Sequence, residues 1–308
     1  MKGMRKQIAI LLVLVTSVGA RTFACSICGC GGGNVYLGLL PDFHRQFFGV
    51  RYQYSAYHTQ LLSDPAQFSN NFYNEIELWG GMSIGKKIRL LGFVPYYQNK
   101  QVDDDGISRT NGLGDISIIG QYQMFHVYSP VDKKTLIEQQ LWLGGGLKLP
   151  TGAFSLNTLD SNTTVADINA QLGTGSTDFL VTGIYSLRVN KIIFNASASY
   201  KINTPNRNGY RYGNKFNSNF LVQYRFAGKK SSFSPNLGVG YENVANNTLE
   251  KKTVEFTGSR VTTAIAGVEY SINKIGLGVN AQIPLSQSFA GGQTRLGVKA
   301  MMHISFAF

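Results

Sequence analysis

The chain has 308 residues, 43% of them hydrophobic, and a formal charge of +12. So basic a balance raises nucleic acid as a partner, but no zinc-finger spacing, RNA-binding signature or basic helix is present, and no nucleic acid is expected. With 35 glycines and 12% aromatic residues, mostly Tyr and Phe, the composition favours strands and turns over helices.

The first 24 residues read as a secretory signal. Lys2, Arg5 and Lys6 precede an apolar run from Ile8 to Val18, which is too short to cross a bilayer as a helix. Thr22 and Ala24 suit cleavage after Ala24; a cut after Ala20 is the alternative. Removal takes away Lys2, Arg5, Lys6 and Arg21 and no acid, leaving a charge of +8.

Residues 25–45 form a cysteine- and glycine-rich segment holding all three cysteines, Cys25, Cys28 and Cys30. Three readings stay open. Thiolates at this spacing can hold a soft metal, copper or zinc, with His44 a fourth ligand if the glycines fold back. In an oxidising compartment Cys25 and Cys28 can pair, leaving Cys30 free. Thr22-Phe-Ala-Cys25 also loosely resembles a lipid-attachment site. The segment is long enough to plug a barrel from below.

From residue 46 to the end, apolar and polar residues alternate in runs of ten to sixteen. Strands are expected at 46–59, 72–84, 87–101, 113–127, 136–150, 176–189, 191–203, 212–227, 233–246, 260–273, 275–287 and 295–308. Short links (Gly85-Lys86, 128–135, Asn190, Gly228 to Ser232, Lys274) alternate with long ones (60–71, 102–112, 151–175, 204–211, 247–259, 288–294). Twelve strands with short turns at one end and long loops at the other is the pattern of an all-β, antiparallel, up-and-down transmembrane barrel of the outer membrane, with both termini periplasmic. The expected partners are the lipid bilayer, the barrel-assembly machinery, which would read the final aromatic Phe308, and a small-molecule cargo.

One face of these strands carries Phe48, Val50, Ile76, Leu78, Leu143, Phe179, Val181, Phe220, Leu277, Val279, Met302 and Phe306, and no charge in any run. A Lys or Arg facing lipid at the midplane costs roughly 2–4 kcal/mol, which purges such a face of them. A soluble sandwich would instead use strands of about five or six residues. The opposite face supplies candidate lumen-lining residues: Arg51, Glu75, Glu77, Arg89, Asp115, Glu138, Lys148, Asp178, Arg188, Lys201, Arg225, Glu242, Glu269 and Lys299. Cations and anions balance there, so no one-signed ring selects ions, and lumen-filling salt bridges are the plainer reading. A wide diffusion pore is not expected of twelve strands. Lysines of the short turns, such as Lys86, Lys191, Lys230 and Lys274, can meet anionic headgroups or simply water.

Three phrases, Asn111-Gly-Leu-Gly-Asp115, Leu147-Lys-Leu-Pro-Thr-Gly152 and Leu172-Gly-Thr-Gly-Ser-Thr-Asp178, carry a resemblance. Together they resemble the outer-membrane family named after the meta-pathway of phenol degradation, from about residue 75 onward. The resemblance implies a transporter broadly similar to fatty-acid and aromatic-hydrocarbon channels. Read residue by residue, Gly112, Gly114 and Gly152 serve turns, Pro150 ends a strand, and Asp115 and Asp178 can pair with Lys148 or bond loop amides.

The leading functional expectation is passage of a small molecule, hydrophobic or metal-related; a metal-handling or structural barrel is the alternative. A barrel phospholipase would need Ser and His on the lipid-facing surface, and the one His-x-Ser on a strand, His303-Ile-Ser305, faces inward by parity.

Overall fold

The computed structural model describes residues 46–60, 67–104, 106–130, 135–155 and 171–308. The signal, the cysteine segment and residues 156–170 lie outside the described residues, as do the calls made on Cys25, Cys28, Cys30 and His44.

Twelve long strands form one sheet: β1 (Phe47–Gln60), β2 (Phe68–Ile84), β3 (Ile88–Asp103), β4 (Gly106–Leu113 continuing as Ser117–Pro130), β5 (Leu136–Lys148), β6 (Asp178–Val189), β7 (Ile192–Ile202), β8 (Lys215–Tyr224 with Phe226–Ala227), β9 (Ser231–Val244), β10 (Ser259–Ile272), β11 (Ile275–Phe289) and β12 (Thr294–Ala307). Each pairs antiparallel with its successor, and β1 pairs with β12 from Phe47↔Ala307 to Thr59↔Thr294. The sheet therefore closes into a meander barrel with no free edge, which satisfies every ladder in a medium that offers no hydrogen bonds.

Chain alternation decides which way each side chain points. Phe48, Leu78, Phe179, Val181, Val279, Leu237 and Met302 are exposed, while Arg51, Glu77, Leu91, Ile119, Lys148 and Leu221 on the other parity are buried. An apolar outside around a barrel whose charges point inward suits lipid, not water, as the surrounding medium.

At one end the connections are tight. Asn190-Lys191 and Asn273-Lys274 link their strands as two-residue turns, with φ of 54° and 52° at the asparagines, the left-handed conformation that hairpin turns of this length require. At the other end the loops carry structure of their own. Tyr210–Arg211, Asn247–Leu249 and Lys252–Val254 make a small three-stranded sheet beside the barrel. Two segments expected as loops are in fact ladder. β2 starts at Phe68 and not at 72, and residues 102–112 largely extend β3 and β4, paired up to Asp103↔Gly106. Polar Asn and Gln residues dilute the alternation there, but the register from below continues through them.

Candidate functional site: the barrel lumen

Three strands set the layering of the interior. The inner face of β1 reads Arg51, Gln53, Ser55, Tyr57 toward the long-loop end; that of β2 reads Trp79, Glu77, Glu75, Tyr73 in the same direction, and that of β3 reads Leu91, Phe93, Pro95, Tyr97, Asn99. Apolar side chains thus give way to ionic and then to polar and tyrosyl ones along the axis.

The apolar layer joins Phe47, Trp79, Leu91, Phe93, Ile119, Leu180 and Ile184, with Trp142 packed against them. Because the strands are staggered, this layer follows the ladder diagonally from β1 to β6, through the pairs Trp79↔Phe93, Leu91↔Ile119 and Gly146↔Leu180. It sits inside the barrel, on the face whose candidate lumen-lining residues in the sequence are charged. The signal was present as the unbroken run Leu90-Leu-Gly-Phe-Val94 and the doublet Ile118-Ile119, in which both parities are apolar.

Above it Arg51 hydrogen-bonds Glu77, and the guanidinium lies 5.3 Å from the Trp79 ring centre and 5.8 Å from that of Phe93. Arg89 donates to Gln121 at 2.6 Å and stacks 4.2 Å over Trp142. Both arginines use aromatic faces as a second partner, an arrangement suited to a weakly hydrated planar cation. Across the lumen, Glu242 lies 3.2 Å from Lys215 and 3.6 Å from Lys299, and Lys201 is Lys215's register neighbour. Toward the short-turn end Glu269 meets His303 at 3.1 Å, and Glu138 meets His126 at 2.8 Å and Arg188 at 3.6 Å. Arg225 stands between the two parts of β8, its amide donating to the Lys191 carbonyl at 2.7 Å. Ser305 is buried and its hydroxyl reaches the Gly276 carbonyl at 3.4 Å.

Asp115, Lys148 and Asp178 come together at the long-loop end. Lys148 and Asp178 face each other in register, and Asp115 enters from the break between the two parts of β4. The Lys148 ammonium reaches Asp115 Oδ2 at 2.5 Å, Asp178 Oδ2 at 2.9 Å, Thr174 Oγ1 at 2.5 Å and the Ser176 carbonyl at 3.0 Å. The carboxylates then bind backbone. Asp115 accepts from the Gly152 amide at 2.9 Å and the Thr174 amide at 2.8 Å, and Asp178 accepts from Thr204 N at 3.0 Å. Every face of the ion cluster is thereby satisfied, the condition under which charges tolerate burial.

The three glycine-rich phrases are the parts of this clamp. A Cβ on Gly173 would stand 2.5 Å from Asp115 Oδ1 and 2.6 Å from the Gly152 carbonyl, and Gly175 turns the chain at φ 69°. What the sequence did not announce is that Thr174 and Ser176, 0% and 5% exposed, complete the cluster from the loop.

In the lumen beside the Glu242–Lys299 pair lies a cavity of about 90 Å³. Gln53, Tyr57, Tyr73, Glu75, Asn99, Glu242 and Lys299 are among its walls. An apolar group of Tyr57, Val261, Phe289, Ala290 and Leu296 borders it toward the loops. Among the described residues no group of three or more His, Cys, Asp or Glu is placed to hold a metal ion.

The chain is similar to several solved structures and to one protein family. An outer membrane channel from Pseudomonas putida F1 superposes with a TM-score of 0.57 at 12% identity, covering 90% of this chain and all of that one. The β domain of the Bordetella autotransporter BrkA gives 0.48 at 12% identity, over 86% of this chain and all of the other. The transport unit of the Escherichia coli autotransporter AIDA-I gives 0.47 at 11%, over 89% and 94%. None of the curated proteins matches the chain. The family described as "putative MetA-pathway of phenol degradation" matches residues 55–297, the barrel from the end of β1 into β12. This chain, a closed twelve-stranded barrel of the outer-membrane type, belongs to that family.

Proposed function

We propose that the protein is a narrow outer-membrane channel that passes a small solute along the lumen. The observation that carries this reading is the interior itself. A polar cavity lies beside an aromatic-flanked ionic layer in which Arg51 pairs with Glu77, and Glu242 with Lys215 and Lys299, with no one-signed ring. The superposed Pseudomonas putida protein is described as an outer membrane channel, which supports the same reading.

In this account the short turns and both chain ends face the periplasm, the long loops face outward, and the barrel-assembly machinery inserts the chain. The cysteine segment 25–45 serves the same barrel, as a metal-binding or plugging element entering from the periplasmic side. Liposome swelling with purified protein, before and after deletion of residues 25–45, tests transport and plug together. Swelling in a small neutral solute that rises on deletion is the expected result. Folded protein that admits no solute in either form contradicts the channel.

A further inference from the structure

The uncharged outer face expected of the strands stops short of their long-loop ends. Lys100 on β3 and Arg260 on β10 fall inside expected strands, yet both stand on the outward parity. Arg109 on β4, Arg295 on β12 and His58 on β1 join them there. Lys100 is half-buried and the other four are exposed. Strand length sets their level. His58 lies ten residues along its strand from Phe48, Arg295 eleven from Phe306, Arg260 twelve from Ile272 and Lys100 twelve from Ile88. At about 3.3 Å per residue and a tilt of about 40°, that is roughly 25–30 Å along the barrel axis. An outer-membrane barrel's apolar band is about 25 Å tall, so these cations stand where lipid headgroups begin.

Their surroundings lack an anion. Lys100 and Arg109 are register partners across the β3–β4 ladder, and Arg295 faces His58 across the β12–β1 ladder. Like charges directly opposite destabilise a sheet, and no carboxylate relieves them among the described residues. The exposed acids of this end, Asp104, Glu250 and Glu255, stand in turns beyond the strands, and carboxylates within strands point inward. The partners that the cations do have are neutral: Lys100 lies 6.0 Å from the Phe72 ring centre, and His58 Nδ1 is 2.8 Å from Asn70 Oδ1.

The wall names the class of occupant. Three of the five groups are guanidinium or ammonium heads beside another cation, and guanidinium forks match phosphate oxygens in pairs. Nearer the midplane the same wall is apolar, with Ile283 and Leu285 on β11 and Leu113 on β4 exposed, a surface for acyl chains. Between His58 on β1 and Lys100 on β3 lie two strand spacings, about 10 Å, which separates the cations into two groups.

We propose that this rim binds a phosphorylated lipid of the outer leaflet, with one phosphate at Lys100 and Arg109 and another at Arg260, Arg295 and His58. The inference rests on the orientation proposed above and is independent of conduction.

Native mass spectrometry of the detergent-folded, full-length mature protein reads bound lipid directly. The probe is diphosphoryl lipid A, and its dephosphorylated form and phosphatidylglycerol are the controls. Wild type is expected to hold the probe more tightly than either control. Lys100→Gln with Arg109→Gln, or Arg260→Gln with Arg295→Gln, should weaken it about tenfold or more, the size expected from losing one or two charge-assisted hydrogen bonds. Should a double variant fail to fold, the wild-type preference among the three lipids decides alone. Equal retention of the phosphorylated and dephosphorylated forms means that acyl chains alone bind, which overturns the proposal. Phosphatidylglycerol held as tightly as the probe, or binding unchanged in both double variants, overturns it too. Maleimide labelling of Lys252→Cys on intact cells reports orientation separately. Labelling there without lipid selectivity keeps the orientation and removes the site, whereas selectivity without labelling removes the orientation and the outer-leaflet partner with it.

Discussion

Replacing Lys148 by methionine removes the ammonium from between Asp115 and Asp178 while keeping the stem's bulk. Both carboxylates are nearly sealed, at 1% and 0% exposure. Breaking a buried ion pair by deleting one partner costs about 3–5 kcal/mol, because the remaining charge stays desolvated. Asp115 would keep the amides of Gly152 and Thr174, and Asp178 would keep the Ser176 hydroxyl and the Thr204 amide, which places the loss near the lower end, at about 3 kcal/mol. That is roughly a hundredfold in the folded-to-unfolded ratio. Urea unfolding followed by the fluorescence of Trp79 and Trp142 reads it directly. Adding Asp115→Asn and Asp178→Asn to the methionine variant should recover part of the loss, since no uncompensated charge is then left. Chymotrypsin should also cut after Phe154 faster in the single variant, because residues 151–155 and 171–177 are tied down through this cluster. A single variant within 1 kcal/mol of wild type, or a triple variant no more stable than the single, would refute the clamp.

Other perturbations test other layers. Glu77→Gln should destabilise the barrel by about 1–3 kcal/mol by weakening the partner of the buried Arg51, read as a lower urea midpoint. Leu237→Arg, at a position 67% exposed on β9, should cost about 2–4 kcal/mol in folding into liposomes, while Leu237→Ile should be nearly neutral. Gly278→Ala would place a methyl against His303 Nε2 and the Glu269 carboxyl, and should lower the thermal midpoint by loosening that pair. A membrane-impermeant maleimide should label Lys252→Cys on intact cells but Lys274→Cys only after permeabilisation; the reverse pattern would invert the proposed orientation. Metal content of wild type against a Cys28→Ser, Cys30→Ser variant should fall if the cysteine segment holds copper or zinc, and equal, near-zero content in both removes that role.

The fold was legible because a lipid-facing barrel obeys one strict rule, that every second residue must be apolar and uncharged. Phe48, Val50, Leu78, Val181 and Val279 obey it, and both the strand number and the side of the wall follow from it. Strand parity also places Asp115, Lys148 and Asp178 on one face. It says nothing about Thr174 and Ser176, which reach the cluster through loop geometry that no periodicity records. The inner apolar layer escaped for the opposite reason. Where Leu91, Phe93 and Ile119 face inward beside Leu90, Val94 and Ile118 facing out, alternation loses its contrast and polarity no longer reports direction. The cavity depends on Gln53, Glu75 and Asn99 meeting across three strands at a register fixed to the residue, which only pairing in space reveals.

The proposed conduction path runs past the packed apolar layer that includes Trp79, Phe93 and Ile184. Single-channel recording of the folded full-length mature protein in planar bilayers, beside Phe93→Ala, tests it most directly. Discrete conductance steps in the wild type and larger steps in the variant are the predicted result. Heat-modifiable, correctly folded protein that shows no steps in either form would contradict it.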